Sequence, residues 1–161
     1  MKNVGLIKRM IVLIYDGLLL FGVTLFGYAL VFLIFQLLPT GFEASIYGKV
    51  FKVLYLLIAT FTFYGWFWTH GGQTLGMKVW NLFLINQDGK YISWSVAAAR
   101  YCAALISWGA VPGVLYYMGV ERWYLAVGLG FVWSLVDRYN LTWHDIFTST
   151  RIIQLPKNKP K

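Results

Sequence analysis

The sequence predicts an all-α membrane protein, a bundle of four hydrophobic helices with a small β-like cytoplasmic element. Three observations predict it. Of 161 residues, 59% are apolar and only 12% charged, and the mean hydropathy is +0.62, which is more apolar surface than a soluble domain of this size can bury. The apolar residues fall in long runs, as spanning helices of about 20 residues require. The basic residues, which give a formal net charge of +8, flank those runs instead of forming a stripe. They therefore read as topology signals and contacts to anionic lipid, with no nucleic-acid partner.

The first span is Met10 to Leu38, closed by Pro39-Thr40-Gly41, where proline and glycine end a helix. Lys2, Lys8 and Arg9 precede it, and the run is too long for a signal-peptide core, so this helix is expected to stay. The second span is Val50 to Trp68, with Lys49 and Lys52 snorkelling at its start and Trp66 and Trp68 forming an interfacial belt at its end. The third, Tyr101 to Val120, contains Pro112-Gly113 and should kink there. The fourth, Trp123 to Val136, is short, about 21 Å of helix at 1.5 Å per residue, and crosses only if its flanks snorkel or the membrane thins. Four crossings with both termini in the cytoplasm leave only Lys49, Lys52 and Arg122 of the 14 Lys and Arg residues outside. The third and fourth segments could instead form a re-entrant hairpin.

Between spans two and three, Val79 to Ile85 followed by Asn86-Gln87-Asp88-Gly89 reads as a strand and turn, and Thr150 to Leu155 is a second strand-like piece able to pair with it. Residues 1–155 form one domain, and from Pro156 the chain reads as a disordered basic tail, 156–161. Small residues at Ala99, Ala103, Ser107, Gly109 and Gly113 let helices approach closely, within one protomer or across a dimer seam.

Known chemistry is mostly excluded. Gly71 and Gly76 have phosphate-loop spacing, but Met77 stands where the lysine is required. His70 and His144 have no H-E-x-x-H pattern, and Cys102 is the only thiol, so neither a metal nor another cofactor is expected. No nucleophile elbow or hydrolase acid pair is present, and the chain is not expected to be an enzyme. What remains is ionisable: Arg9, Asp16, Arg100, His144 and Asp145. Asp16 lies within an apolar run, where a charge is expensive and marks a functional position. Seven residues, or two helical turns, separate it from Arg9, so both project from one helix face.

Arg9 with Asp16, then Gly72-Gln73-Thr74-Leu75-Gly76, the Asp88-Gly89 turn, Arg100, and His144-Asp145 followed by Thr150 together resemble the RDD family of membrane proteins. The resemblance runs from about Lys8 to Ile153 and departs at Asn140 to Trp143, where relatives are more basic. It implies that Arg9, Asp16 and Asp145 are the naming arginine and aspartates, and that the function is transport, sodium–proton antiport among its cases. The residues allow the same. Burial favours a neutral acid and a nearby guanidinium favours the anion, so Asp16 could trade a proton for a cation if Arg9 or Arg100 moves. The expectation is a multi-pass protein of the cell membrane that moves monovalent cations or protons. Asp16 and Asp145 would exchange charge and Arg9 and Arg100 would serve as counter-charges. One protomer has few polar residues to line a pore, so a homo-oligomer is expected. The rival readings are a fixed ion-pair network within a non-transporting adaptor that binds a partner membrane protein, and binding of anionic lipid.

Overall fold

The computed structural model describes residues 2–38, 45–122, 124 and 129–155. Three of its helices are long and apolar enough to cross a membrane: α1 (Leu6–Phe35), α2 (Ile46–His70) and the continuous unit Trp94–Tyr117. The last unit comprises α4 (Trp94–Leu105), a π-helical turn (Ile106–Ala110) and α5 (Val111–Tyr117). Only 11% of the most apolar stretch of α1 and 6% of that of α2 are buried within the chain, as expected of helices solvated by lipid. The fold is thus mostly helical and that of a membrane protein.

Each span starts earlier than hydropathy suggests, and for the second and third local side-chain caps explain why. Ser45 accepts the amide N–H of Gly48 at 3.2 Å and so starts α2, and Ser93 accepts that of Val96 at 3.4 Å and starts α4. The third helix therefore begins at Trp94 instead of Tyr101 and carries Arg100 inside it, a charge that stopped the apolar run in sequence but not the helix. The helix also continues through Pro112. Proline lacks the N–H and crowds the carbonyl four residues before it, and the π turn at Ile106–Ala110 widens the helix just ahead of that position.

The fourth segment is seen only in part. Within Met118 to Leu141 the described pieces are α6 (Leu129–Val132), which runs into a 3-10 turn (Trp133–Leu135), and neither is long enough to span. Trp123, residues 125–128, the Pro39-Thr40-Gly41 stop and the tail 156–161 lie outside the described residues.

The expected strand pairing is present. β2 (Leu82–Asn86) runs antiparallel to β3 (Thr150–Gln154), from Leu82 opposite Gln154 to Asn86 opposite Thr150. A two-residue strand, β1 (Lys2–Asn3), joins the other edge of β3. Because β1 leads into α1, β2 follows α2, and β3 closes the described chain, the sheet ties both ends to one end of the bundle. Beneath it Val4, Val12, Met77, Leu82, Leu84, Ile92 and Ala97 form the core, with Trp68, Trp80, Val96 and Ile152 against them. Two short helices complete this cap, α3 (Leu75–Val79) and α7 (Trp143–Phe147).

Packing between the long helices uses close approach. Tyr55 of α2 donates to the Thr24 carbonyl of α1 at 3.2 Å. Phe61 of α2 packs on Trp94 and Tyr101 of α4, with ring centroids 5.9 and 5.4 Å apart, worth roughly 0.5–1.5 kcal/mol per aromatic pair.

Candidate functional site

The polar side chains converge where the helices meet the sheet. Asp145 lies on α7 and is fully buried, at 0% exposure. It reaches back to accept the Thr142 amide N–H at 3.1 Å as part of a capping box that starts α7. Its other contacts are cations from two different spans: Arg9 Nη1 of α1 at 2.5 Å and Arg100 Nη2 of α4 at 2.5 Å. Each arginine is itself anchored. Arg9 Nε donates to the Val4 carbonyl at 3.1 Å, Arg100 Nη1 donates to the Thr150 hydroxyl of β3, and the Arg100 guanidinium lies 5.5 Å from the Trp68 ring centroid.

Electrostatics of this cluster follow from burial and charge count. Burial alone would push the Asp145 carboxyl up, but the Arg100 and Arg9 guanidiniums outweigh it and hold the group well below the usual carboxylate range. His144 sits beside it, Nε2 2.9 Å from the Thr142 hydroxyl oxygen and 3.9 Å from Asp145 Oδ1. Burial and then the Arg100 charge push this imidazole down to about 3, so it is neutral at physiological pH.

Asp16 is arranged differently. At 2% exposure it is as dry as Asp145, yet its oxygens meet neutral donors: Oδ2 accepts the Thr74 hydroxyl at 2.5 Å and Oδ1 the Gly76 amide N–H at 2.8 Å. Among the described residues no basic nitrogen forms an ion pair with it. The expected meeting of Arg9 and Asp16 is thus half realised. Both are buried, but Arg9 turns to Asp145.

The glycine-rich motif builds this second site. Gly72 has φ +63° and its carbonyl accepts the Leu84 N–H at 2.7 Å, fixing the turn to β2. Gln73 Nε2 donates to the Leu82 carbonyl at 2.8 Å. Thr74 caps α3 by accepting the Met77 N–H at 3.2 Å while donating to Asp16. A Cβ at Gly76 would stand 2.9 Å from both Asp16 Oδ1 and the Val12 carbonyl, so only glycine lets α3 approach α1 this closely.

A partly open cavity of about 270 Å³ joins the two sites. Arg9, Asp16, Tyr64, Arg100 and His144 contribute polar groups to it, whereas Val12, Leu13, Ala104, Leu105 and Trp108 make apolar wall. Sequence reasoning missed Tyr64 and misplaced Trp68. Residues 66 and 68 are two apart on a helix and point to different sides: Trp66 is 54% exposed, whereas Trp68 turns inward onto Arg100. The spacing of Tyr64 and Trp68, one helical turn, was the available signal.

A search of curated proteins and one of solved structures give no match. A family model does match, over residues 4–149, a stretch that includes both acids, both arginines and the whole glycine motif. By that match over most of its length, the chain belongs to the RDD family.

Proposed function

We propose that this membrane protein is a small carrier, or a carrier subunit, that moves protons or monovalent cations across the cell membrane, with Asp16 as the group whose charge changes. One observation carries the reading. Asp16 is a buried acid on a cavity wall that no cation neutralises within the described residues, whereas Asp145 is committed to two guanidiniums. Arg9, Arg100 and Asp145 together leave one positive charge beside the same cavity, whereas Asp16 meets only neutral donors. Asp145 then serves as a fixed counter-charge, not as a second exchanger.

Helix length supports the location. Thirty residues make α1 about 45 Å long at 1.5 Å per residue, about 15 Å more than the hydrocarbon core. With that excess at the sheet end, Asp16 stands at the hydrocarbon boundary, within reach of ions. The positive-charge bias supports a cytoplasmic side for the sheet and both termini, and the scarcity of polar lining favours an oligomer.

Purified protein in proteoliposomes with an internal pH dye tests this. Sodium- or potassium-driven proton flux that disappears in Asp16→Asn is the expected result. No flux, or flux unchanged by that substitution, overturns it. One observation favours the adaptor reading: both Asp16 oxygens already have donors within the chain. On that reading Asp16→Asn leaves transport absent throughout and lowers recovery of a stoichiometric neighbour crosslinked in native membranes.

A further inference from the structure

Arg100 has more hydrogen-bonding capacity than its partners use. Its Nη1 and Nη2 meet Thr150 and Asp145, but its Nε–H has no acceptor among the described residues although the side chain is only 3% exposed. A buried charged donor left unmatched is costly, on the order of 1–3 kcal/mol. Arg100 lines the cavity with Arg9, and the two guanidiniums share one tightly bound carboxylate, Asp145, so a positive charge is in excess whenever Asp16, the other acid on this wall, is protonated.

Much of the remaining wall is apolar and leads to the membrane-facing surface. Leu105 both lines the cavity and is 41% exposed, and Ile106 next to it is 58% exposed. The cavity therefore has a cationic, donor-bearing inner end and an apolar mouth on the lipid side. That polarity matches a molecule with one small anionic head and one hydrocarbon chain.

We propose that this cavity binds a free long-chain carboxylate, with its head at Arg100 and its chain passing between α1 and α4 toward Leu105. A carboxylate is favoured over a phospholipid because the acceptor must reach a single N–H in a nearly solvent-free corner. A glycerophosphate head carries further substituents and is bulkier than a carboxylate, which a single buried N–H in a closed corner disfavours. The site goes beyond ion movement and needs no gradient, so it stands or falls separately from the carrier reading.

The full chain in nanodiscs, exposed to a diazirine-bearing palmitate and mapped by peptide mass spectrometry, tests it. Labelling is expected near Val12–Leu13 and Ala104–Trp108, displaced by unlabelled palmitate. Palmitic acid methyl ester should compete about tenfold more weakly, the scale of one lost charged hydrogen bond. Ala104→Phe, which fills apolar wall and leaves the arginines in place, should abolish this labelling while Asp145 still holds both arginines, as read from an unchanged melting temperature. If Ala104→Phe fails to fold, the competition series on wild type decides alone. Labelling spread over all lipid-facing positions, or equal competition by the methyl ester or by phosphatidylglycerol, overturns the proposal.

Discussion

Asp16 and Asp145 are equally dry but differently held, and the contrast separates two jobs within one motif set. Asp145 accepts from two guanidiniums and a helix-cap amide, drawing α1, α4 and α7 onto one carboxylate. Asp16 accepts from a hydroxyl and an amide, joining only α1 to the Thr74 turn and α3. Ion pairing fixes the charge of the first. Neutral donors stabilise the second without fixing its charge through a counter-ion. Burial alone, then, does not identify an exchangeable acid; the charge of its partners does.

The sharpest way to break this comparison is to remove each carboxylate in turn. Asp145→Ala leaves Arg9 and Arg100 buried and repelling each other, a loss of about 3–5 kcal/mol for a broken buried pair. Much less folded protein should be recovered by size exclusion, with a strongly lowered melting temperature. Asp16→Ala strands only neutral donors and should cost about 1–3 kcal/mol. Equal losses would mean that the two acids are not held differently.

Gly76→Ala probes the Asp16 side without touching a charge. The new methyl group meets a backbone carbonyl, Val12 O, as well as the carboxylate at 2.9 Å, so α3 must back away from α1. Overpacking of this kind costs about 1–3 kcal/mol. Proton flux should fall, and the Arg9–Asp145–Arg100 cluster should persist. A Gly76→Ala protein with wild-type melting temperature and flux would show that the close approach is dispensable.

How much of this was legible in sequence depends on the range of the interactions. Spans one and two were visible because lipid solvation demands apolar runs. The pairing of residues 82–86 with 150–154 was visible as two β-rich pieces, one followed by an Asp-Gly turn. Arg9 and Asp16 were correctly placed on one face by helical period. Their partners were not, because those lie 58 to 136 residues away in the chain, and no periodicity encodes such a choice. The glycine motif was recognisable as a pattern, but its meaning, a cradle for one carboxylate, depends on α3 being packed against α1. Hydropathy starts the third span at Tyr101 because the charge of Arg100 ends the apolar window, whereas in the fold Arg100 stands in the second turn of that helix and is compensated by Asp145.

Asp16→Asn is a gentler version of the same contrast. The amide keeps the shape and one acceptor oxygen, but it turns an N–H₂ toward one of the two donors, a mismatch worth about 1–2 kcal/mol. Stability measured by thermal melting should fall only modestly. Loss of flux with retained fold would separate charge exchange from architecture at this position.

The smallest expected effect concerns His144, on the Asp145 side. Its ordinary value of 6.5 falls to about 3 in the fold, so on acidification the unfolded chain takes up the proton first. The contribution to stability is therefore fully present well above pH 6.5 and declines as the pH falls through 6.5 toward 3; Asp145, whose shift is also downward from 3.8, adds its own loss only below 3.8. Between pH 7.5 and 6 the decline is a little under ~1 kcal/mol, set by protonation of the histidine in the unfolded chain. Melting temperatures taken across this interval should slope downward in the wild type and be nearly level in His144→Gln, whatever the absolute stability of the variant. A level wild-type profile would mean that His144 can be protonated in place, and that the arginine pair does not dominate the potential around Asp145.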